Sequence, residues 1–335
     1  MMRVRPARAD DLDEILRLAA LAGPGFTSLA VGKDKLAERL SKSVKSFAGP
    51  AALSPDHLYI LLCEIDGEVA AMSAVKAQIG THDPFFNFRI LKVAQKSNAA
   101  GKRFDMDVLV LVNDFTGATE VGSLFVAKPQ RSTGAGRLVS QARYMLMAAG
   151  PDRFSARVIS ELRGHVSESG QSPFWEAVGR KFFHMDFAEA DSISAEKDNQ
   201  FILDLMPKYP IYSALLPEAA QAVIGKTHPD GMGARRLLES EGFRHDGMID
   251  IFDGGPSMSA PRDDIRTIRH SRRLTVKPAD KPGTLTALVS NDRISDFACI
   301  YTHIGFDGEV VLLTDRDLSA LGLHADETAR IWIKR

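Results

Sequence analysis

The stretch Gln130-Arg131-Ser132-Thr133-Gly134-Ala135-Gly136-Arg137-Leu138 follows an apolar run that ends near Val126. It opens a helical pattern over Gly134 to Ala149, in which Leu138, Ala142, Met145, Leu146 and Ala149 share one face. A turn of this kind suits an anion. Glycines at 134 and 136 let the backbone approach a ligand closely. The first N–H groups of the helix have no intrahelical acceptor, and the helix dipole adds its attraction. Arg131 and Arg137 supply mobile positive charge. The same residues would also serve a plain helix cap. No Gly-Lys-Ser/Thr follows, so the turn is not a Walker loop, and the glycine spacing and downstream acid of a dinucleotide fingerprint are missing.

Upstream of this turn, strands crowd together. Met2 to Pro6 reads as a short strand, and Asp10 is placed to cap a helix carrying Leu12, Ile15, Leu16 and Ala19 at helical spacing, ending near Gly23-Pro24-Gly25. Lys35 to Phe47 is a second amphipathic helix. Leu58 to Ile65 and Glu68 to Val75 form a hairpin about Asp66-Gly67. A loop holding Pro84 to Arg89 precedes strands at Asp107 to Val112 and Thr119 to Ala127. Downstream, the expected order is strand Arg157 to Glu161, helix Phe174 to Phe183, strand Phe201 to Met206, helices Pro217 to Ile224 and Ala234 to Glu241, and strand Gly247 to Phe252. Too many strands precede the central helix for a doubly wound sheet, so the order is α+β with a mixed sheet. Gly254 to Lys281, with Arg262, Arg266, Arg269, Arg272 and Arg273, reads as a solvated connector, with an acidic-ligand patch as the alternative. The short strands beyond it, Ala298 to Ile304 and Glu309 to Thr314 about Phe306-Asp307-Gly308, predict a small β-barrel. The domains expected are 1–256, a connector over 257–273, and 274–335.

The 335 residues carry 42 basic and 43 acidic side chains, a formal charge of −1, which points away from nucleic acid or a membrane surface as the main partner. The start, MMRVRPARADDLDEI, holds acids and no apolar core of a leader, and no apolar run is long enough to span a bilayer, so a cytoplasmic setting is expected. Cys63 and Cys299 stand alone in apolar runs and read as small buried hydrophobes. Without a Cys/His cluster no metal is expected.

Arg-x-x-Gly-x-Gly between a strand and a helix resembles the pyrophosphate loop of GNAT-type acyltransferases. In that superfamily the preceding strand splays from its neighbour to receive the pantetheine arm. Here that strand is Gly122 to Val126, with Leu124 near its middle. Ser172 to Gly179 is similar to a helix in which many relatives place a tyrosine that protonates the departing thiolate. This chain has Trp175 there, and an indole is no acid at neutral pH. Attention passes to the histidines. His228 precedes Pro229 and a helix start, which favours an extended backbone and a lowered proton affinity. A solvated loop histidine fits the same residues, and His165 is a possible neighbour of the site.

Longer segments carry a wider resemblance. They include Gly25-Phe26-Thr27-Ser28-Leu29, Pro84-Phe85-Phe86-Asn87-Phe88-Arg89, Asn113-Asp114-Phe115-Thr116-Gly117, Glu161-Leu162-Arg163-Gly164 and Ser172-Pro173-Phe174-Trp175. Ile224-Gly225-Lys226-Thr227-His228-Pro229 and Ile249-Asp250-Ile251-Phe252-Asp253-Gly254-Gly255-Pro256 extend it. Over nearly its whole length the chain resembles the arginine N-succinyltransferase family. The resemblance implies a GNAT-like acyl-CoA N-acyltransferase fold with a small C-terminal β-barrel. It implies succinyl transfer from succinyl-CoA, a co-substrate rather than a permanently bound cofactor, to the α-amino group of L-arginine, the first step of a succinyl-dependent arginine breakdown route. It also implies that His228 is the proton donor and that Leu124 contacts succinyl-CoA. Phe125, Arg131, Gly134 and Gly136 complete the expected acyl-CoA site. Asp114, Glu161 and Asp250 are candidates for the substrate guanidinium, and Arg89 or Arg163 for a carboxylate. Each of these five also fits a structural ion pair. Ornithine or another basic amine as substrate, and a non-catalytic partner subunit, stay open, as does a homo-oligomer or an assembly of related subunits.

Overall fold

The computed structural model describes residues 1–22, 31–167, 169–196 and 204–334. The segment Gly25 to Leu29 therefore lies outside the described residues, as does the expected end of the first helix at Gly23-Pro24-Gly25. The chain divides into two compact units: Met1–Gln78 with Thr119–Val158 and Pro261–Arg335, and Ile79–Ala118 with Ile159–Ala260.

In the first unit, Met2–Pro6, Leu58–Ile65, Glu68–Lys76 and Thr119–Val126 lie side by side in that order. The hairpin turn is at Asp66-Gly67, where both residues have positive φ (51° and 94°), the geometry that matches the strands' twist. Helices Leu12–Ala22 and Lys33–Ala48 set Ile15, Leu18, Leu36 and Leu40 against Leu58, Ile60, Leu62, Met72 and Phe125 in one core. The first helix is capped through Asp11, not Asp10: the Asp11 carboxylate accepts the Arg8 amide at 2.6 Å and is gripped by Arg5 at 2.6 and 2.8 Å. Asp10 is exposed. The helix Ala135–Ala149 is buried along most of its length, and Ser73 Oγ on the Glu68–Lys76 strand donates to its Val139 carbonyl at 3.1 Å.

The C-terminal strands order as Leu285–Ser290, Thr328–Ile333, Arg272–Pro278, Val310–Leu313 and Cys299–Asp307. The last pairs back with the first, which closes a five-stranded barrel around Val276, Val289, Ile300, Val311 and Ile331. Arg272–Pro278 runs parallel to Val310–Leu313, while the other barrel pairings are antiparallel. The barrel strand Cys299–Asp307 also meets the first strand, Val4 lying opposite Cys299. Residues 254–273 are built into the fold, while Arg266, Arg269, Arg272 and Arg273 are exposed. Pro256–Pro261 is a mostly buried strand, Arg266–His270 is a helix, and Arg262 donates to the Pro151 and Phe154 carbonyls at 2.7 and 2.9 Å. Arg273 and Arg330 both hold Asp292 at 2.7 Å, Arg273 with its side chain 64% exposed, so most of this cluster is a solvated face with local ion pairs.

In the second unit, a long hairpin pairs Asn87–Ser97 with Lys102–Val112. The loop expectation at Pro84 to Arg89 holds only to Phe86. The outer half of this ribbon is exposed and carries Lys92, Lys96, Lys102 and Arg103, so it lacks the apolar alternation by which a half-buried strand is recognised. Arg244–Asp250 pairs with Asn87–Arg89 on one side and with Pro256–Ala260 on the other. The helix expected over Phe174 to Phe183 is two short ones, Pro173–Ala177 and Gly179–Phe183, broken at Val178 (φ −115°, ψ −77°). The Trp175 ring occupies the space over Gly179, where a Cβ would lie 2.2 Å from it. Of the strand expected over Phe201 to Met206, residues 201–203 lie outside the described residues, and Asp204 and Leu205 are helical. The α+β order, the strand–turn–helix around Gly134 and the small C-terminal barrel stand.

Candidate functional site

The acyl-CoA candidates sit together in the first unit. The strand Thr119–Val126 is antiparallel to Glu68–Lys76, with Met72 opposite Phe125 and Ala74 opposite Gly122. Between these pairs one residue, Ser73, faces two, Ser123 and Leu124. That is a β-bulge, and Ser123 takes a left-handed φ of 51° to make it. The ladder is interrupted at Leu124, whose side chain is half-buried. Phe125 points its ring into the core at 2% exposure, so its side chain cannot contact a ligand.

The strand leads through the 3-10 turn Lys128–Gln130 to the helix Ala135–Ala149. Gly134 is the N-cap, at φ 97° and ψ −7°, a conformation costly for any residue with a Cβ. Gly136 sits close to the preceding strand, where an added Cβ would lie 3.2 Å from Val126 Cγ2, a tight contact. Thr133 Oγ1 accepts the Ala135 amide at 3.4 Å, and the Leu138 amide begins the helical ladder on Gly134. The Gly136 and Arg137 amides lie in the first turn, where no intrahelical acceptor exists, beside the exposed side chains of Arg131 and Arg137. The turn therefore offers amides and two cations on one surface.

His228 belongs to the second unit. Its amide donates to the Arg163 carbonyl at 2.8 Å, and its Nδ1 accepts the Asp230 amide at 3.2 Å, which makes it the N-cap of Pro229–Gly231. The ring is 18% exposed and lies 6.0 Å from the His165 ring, centroid to centroid. Partial burial lowers its proton affinity below the usual histidine value, and the Arg163 cation and His165 lower it further; Asp230 opposes them. A histidine so placed is neutral near pH 7 and gives up an acquired proton readily.

The substrate candidates divide. Glu161 ends its strand with Oε1 accepting from Asn87 Nδ2 at 2.9 Å and from Ser257 Oγ at 3.4 Å. It stands two residues from Arg163, whose carbonyl fastens His228. Arg89 and Asp114 form an ion pair with each other. Asp250 is committed to its own turn: Oδ1 accepts the Phe252 and Asp253 amides at 2.7 and 2.8 Å, and burial pushes its carboxyl up, away from the charged form a guanidinium would want.

Trp175 is fully buried, stacked on Phe252 at 5.5 Å, and donates from Nε1 to the Met185 carbonyl at 3.1 Å. It is a core residue with no proton to exchange. Burial, with Glu64 adding to it, pushes the Cys63 thiol up to about 12, and burial raises Cys299 well above the usual thiol range, so neither is a thiolate nucleophile. Among the described residues no His/Cys/Asp/Glu group could hold a metal, and no helix is long and apolar enough to cross a membrane. Sequence reasoning passed over Asp253 and Asn87. The only signal for Asp253 was the run Asp253-Gly254-Gly255-Pro256, a turn with unusually little side chain around one acid.

Residues 2–267 match the family described as arginine N-succinyltransferase beta subunit, and 272–332 match the C-terminal domain of that subunit. The chain is 38% identical to the arginine N-succinyltransferase of Yersinia enterocolitica over 335 residues, 99% of this chain and 97% of that one. It is 38% identical to the arginine N-succinyltransferase of Citrobacter koseri over 336 residues, with the same shares covered. Among solved structures, it superposes on subunit AI of the arginine/ornithine succinyltransferase from Pseudomonas aeruginosa with a TM-score of 0.89 and 34% identity, covering 99% of this chain and 98% of that one. The chain belongs to the arginine N-succinyltransferase family.

Proposed function

We propose that this chain transfers the succinyl group of succinyl-CoA to the α-amino group of L-arginine, forming N2-succinylarginine and CoA. Relatedness along the full chain carries the choice of substrates, and the setting of His228 carries the chemistry. The amine attacks the thioester carbonyl directly, an N–C bond forms, and the C–S bond breaks. The amine loses a proton and the departing thiolate gains one. His228 takes up a proton as the amide forms and returns it to sulfur, a step its lowered proton affinity assists. The backbone at the Leu124 bulge polarises the thioester carbonyl. The amides of Gly136 and Arg137, with Arg131 and the freedom of Gly134, hold the pyrophosphate of CoA. Glu161, kept in place by Asn87 and Ser257, reads the basic substrate, and Arg163 reads a carboxylate. The Arg89–Asp114 pair would have to open to take part. Succinyl-CoA is consumed rather than retained, and a cytoplasmic location goes with this reading.

The test is CoA release measured with succinyl-CoA and acetyl-CoA against a panel of amino acids. Turnover greatest with succinyl-CoA and arginine is expected. Replacing His228 by Ala should lower kcat by on the order of 10²–10⁴ while leaving CoA binding intact. Undiminished turnover would remove His228 from the mechanism.

A second reading has one observation in its favour. The Pseudomonas aeruginosa relative is described as an arginine/ornithine enzyme and as a subunit. On that reading this chain prefers ornithine, or works in an assembly of related subunits. Competition between arginine and ornithine decides the first. An inert purified chain that gains activity only from a second, related chain would establish the other.

A further inference from the structure

Three loops of the second unit are fastened to one another by hydrogen bonds between residues far apart in sequence. Asp253 Oδ2 accepts the Gly164 amide at 2.7 Å. The Gly254 carbonyl accepts the Gly225 amide at 2.8 Å, and the Arg163 carbonyl accepts the His228 amide at 2.8 Å. The loops at 163–165, 225–228 and 250–255 are thus each tied to the other two. Two sides of this triangle are backbone to backbone. On the third, beside the backbone bond from the Leu162 amide to the Pro256 carbonyl at 3.1 Å, the Gly164 amide is held by one carboxyl side chain, that of Asp253, 7% exposed.

The surroundings press the loops together around that carboxyl. A Cβ on Gly164 would lie 2.4 Å from the Asp253 carbonyl oxygen, and one on Gly255 would lie 2.2 Å from the Leu162 carbonyl oxygen. Asp253 Oδ1 also accepts the Gly255 amide at 2.8 Å, and Asp250 fixes the turn by accepting the Asp253 amide at 2.8 Å. Phe252, within the same turn, stacks on buried Trp175. The carboxyl therefore sits on a rigid base, and what it holds is the segment against which His228 is fastened.

We infer that Asp253 is a positioning residue for His228. It anchors the Arg163–Gly164 segment through the Gly164 amide, and that segment holds the His228 backbone and sets its ring beside Arg163 and His165. Asp253 does not touch the reacting atoms. The inference rests on His228 being the proton donor. Burial, and next the Asp250 carboxyl beside it, push the Asp253 carboxyl well above the usual range. Asparagine matches the carboxyl in shape and keeps one acceptor oxygen, enough for the Gly164 amide but not for the Gly255 amide as well, so Asp253→Asn is the conservative variant.

The experiment is a double-mutant cycle on the full chain, with kcat, both KM values and the melting temperature measured for wild type, Asp253→Ala, His228→Ala and the double variant. Asp253→Ala should lower kcat on the order of 100-fold, the effect of a misplaced reacting group, with KM for succinyl-CoA unchanged. Added to His228→Ala, it should cost nothing more, because the group it positions is already gone. Asp253→Asn, which keeps an acceptor for the Gly164 amide, should restore part of the rate, and it takes the place of Asp253→Ala in the cycle if the latter fails to fold. The inference is overturned if the Asp253 variant lowers the rate of His228→Ala by the same factor as that of wild type, or if it keeps full kcat while His228→Ala does not. Full turnover in His228→Ala would instead overturn the proton-donor reading, and this inference with it.

Discussion

Gly134→Ala tests whether the turn ahead of the central helix holds succinyl-CoA. Gly134 has φ 97° and ψ −7°, and a left-handed backbone costs a residue with a Cβ about 1–2 kcal/mol. Space is not the difficulty, since the nearest atom to the added Cβ, Met2 Cε, would be 3.8 Å away. The perturbation is therefore conformational. The variant relieves it by rotating the turn, and the Gly136 and Arg137 amides then no longer converge on one point. Losing about 1.4 kcal/mol of that binding raises KM for succinyl-CoA about tenfold. Because the pyrophosphate is held alike before and during reaction, kcat should stay near the wild-type value. The control is Gly67→Ala, at φ 94° in the hairpin turn with nothing within 4 Å of its added Cβ. It imposes the same backbone cost away from the helix start. It should lower the melting temperature and leave KM alone. Steady-state kinetics with succinyl-CoA varied, and CoA titrations by calorimetry, read both variants. If Gly134→Ala lowered kcat while KM and CoA affinity stayed the same, or if Gly67→Ala raised KM equally, the turn would not be the pyrophosphate site.

Two further outcomes follow from the second unit. Burial and the Arg163 cation lower the proton affinity of His228, so the acidic limb of kcat/KM should lie below the ordinary histidine range. In Arg163→Gln the cation is gone, the pKa rises, and that limb should move to higher pH; a pH–rate profile with an unmoved limb would break the link between Arg163 and His228. Trp175→Phe removes the donor to the Met185 carbonyl and should lower stability by about 1–3 kcal/mol in a denaturant titration, with turnover retained because an indole has no proton to give. Lost turnover at unchanged stability would put Trp175 in the chemistry.

What the amino-acid sequence determined by itself is local. The Asp66-Gly67 turn, the amphipathic helices and the strand–turn–helix around Gly134 follow from neighbours within a few residues, because positive φ, helical periodicity and helix-start amides are properties of short segments. The exposed half of the Asn87–Ser97 ribbon escaped, since a strand with both faces largely in solvent has no buried side for its sequence to mark. The bulge at Ser123 and Leu124 exists only relative to Ser73 on the neighbouring strand. The candidate site was legible in part for the same reason. Pro229 and the turn after it drew notice to His228, and the family resemblance gave it the donor role, but its partners Arg163 and His165 come from a different loop. For Asp250 and Asp114 a substrate role and a structural ion pair both stayed open, because a sequence does not show which amide or guanidinium will reach them. Tertiary structure turned one into the brace of its own turn and the other into the partner of Arg89. It also raised Asp253 from an unremarked acid to the side chain that ties loop to loop, since a hydrogen bond between distant segments is set by where the chain returns in space.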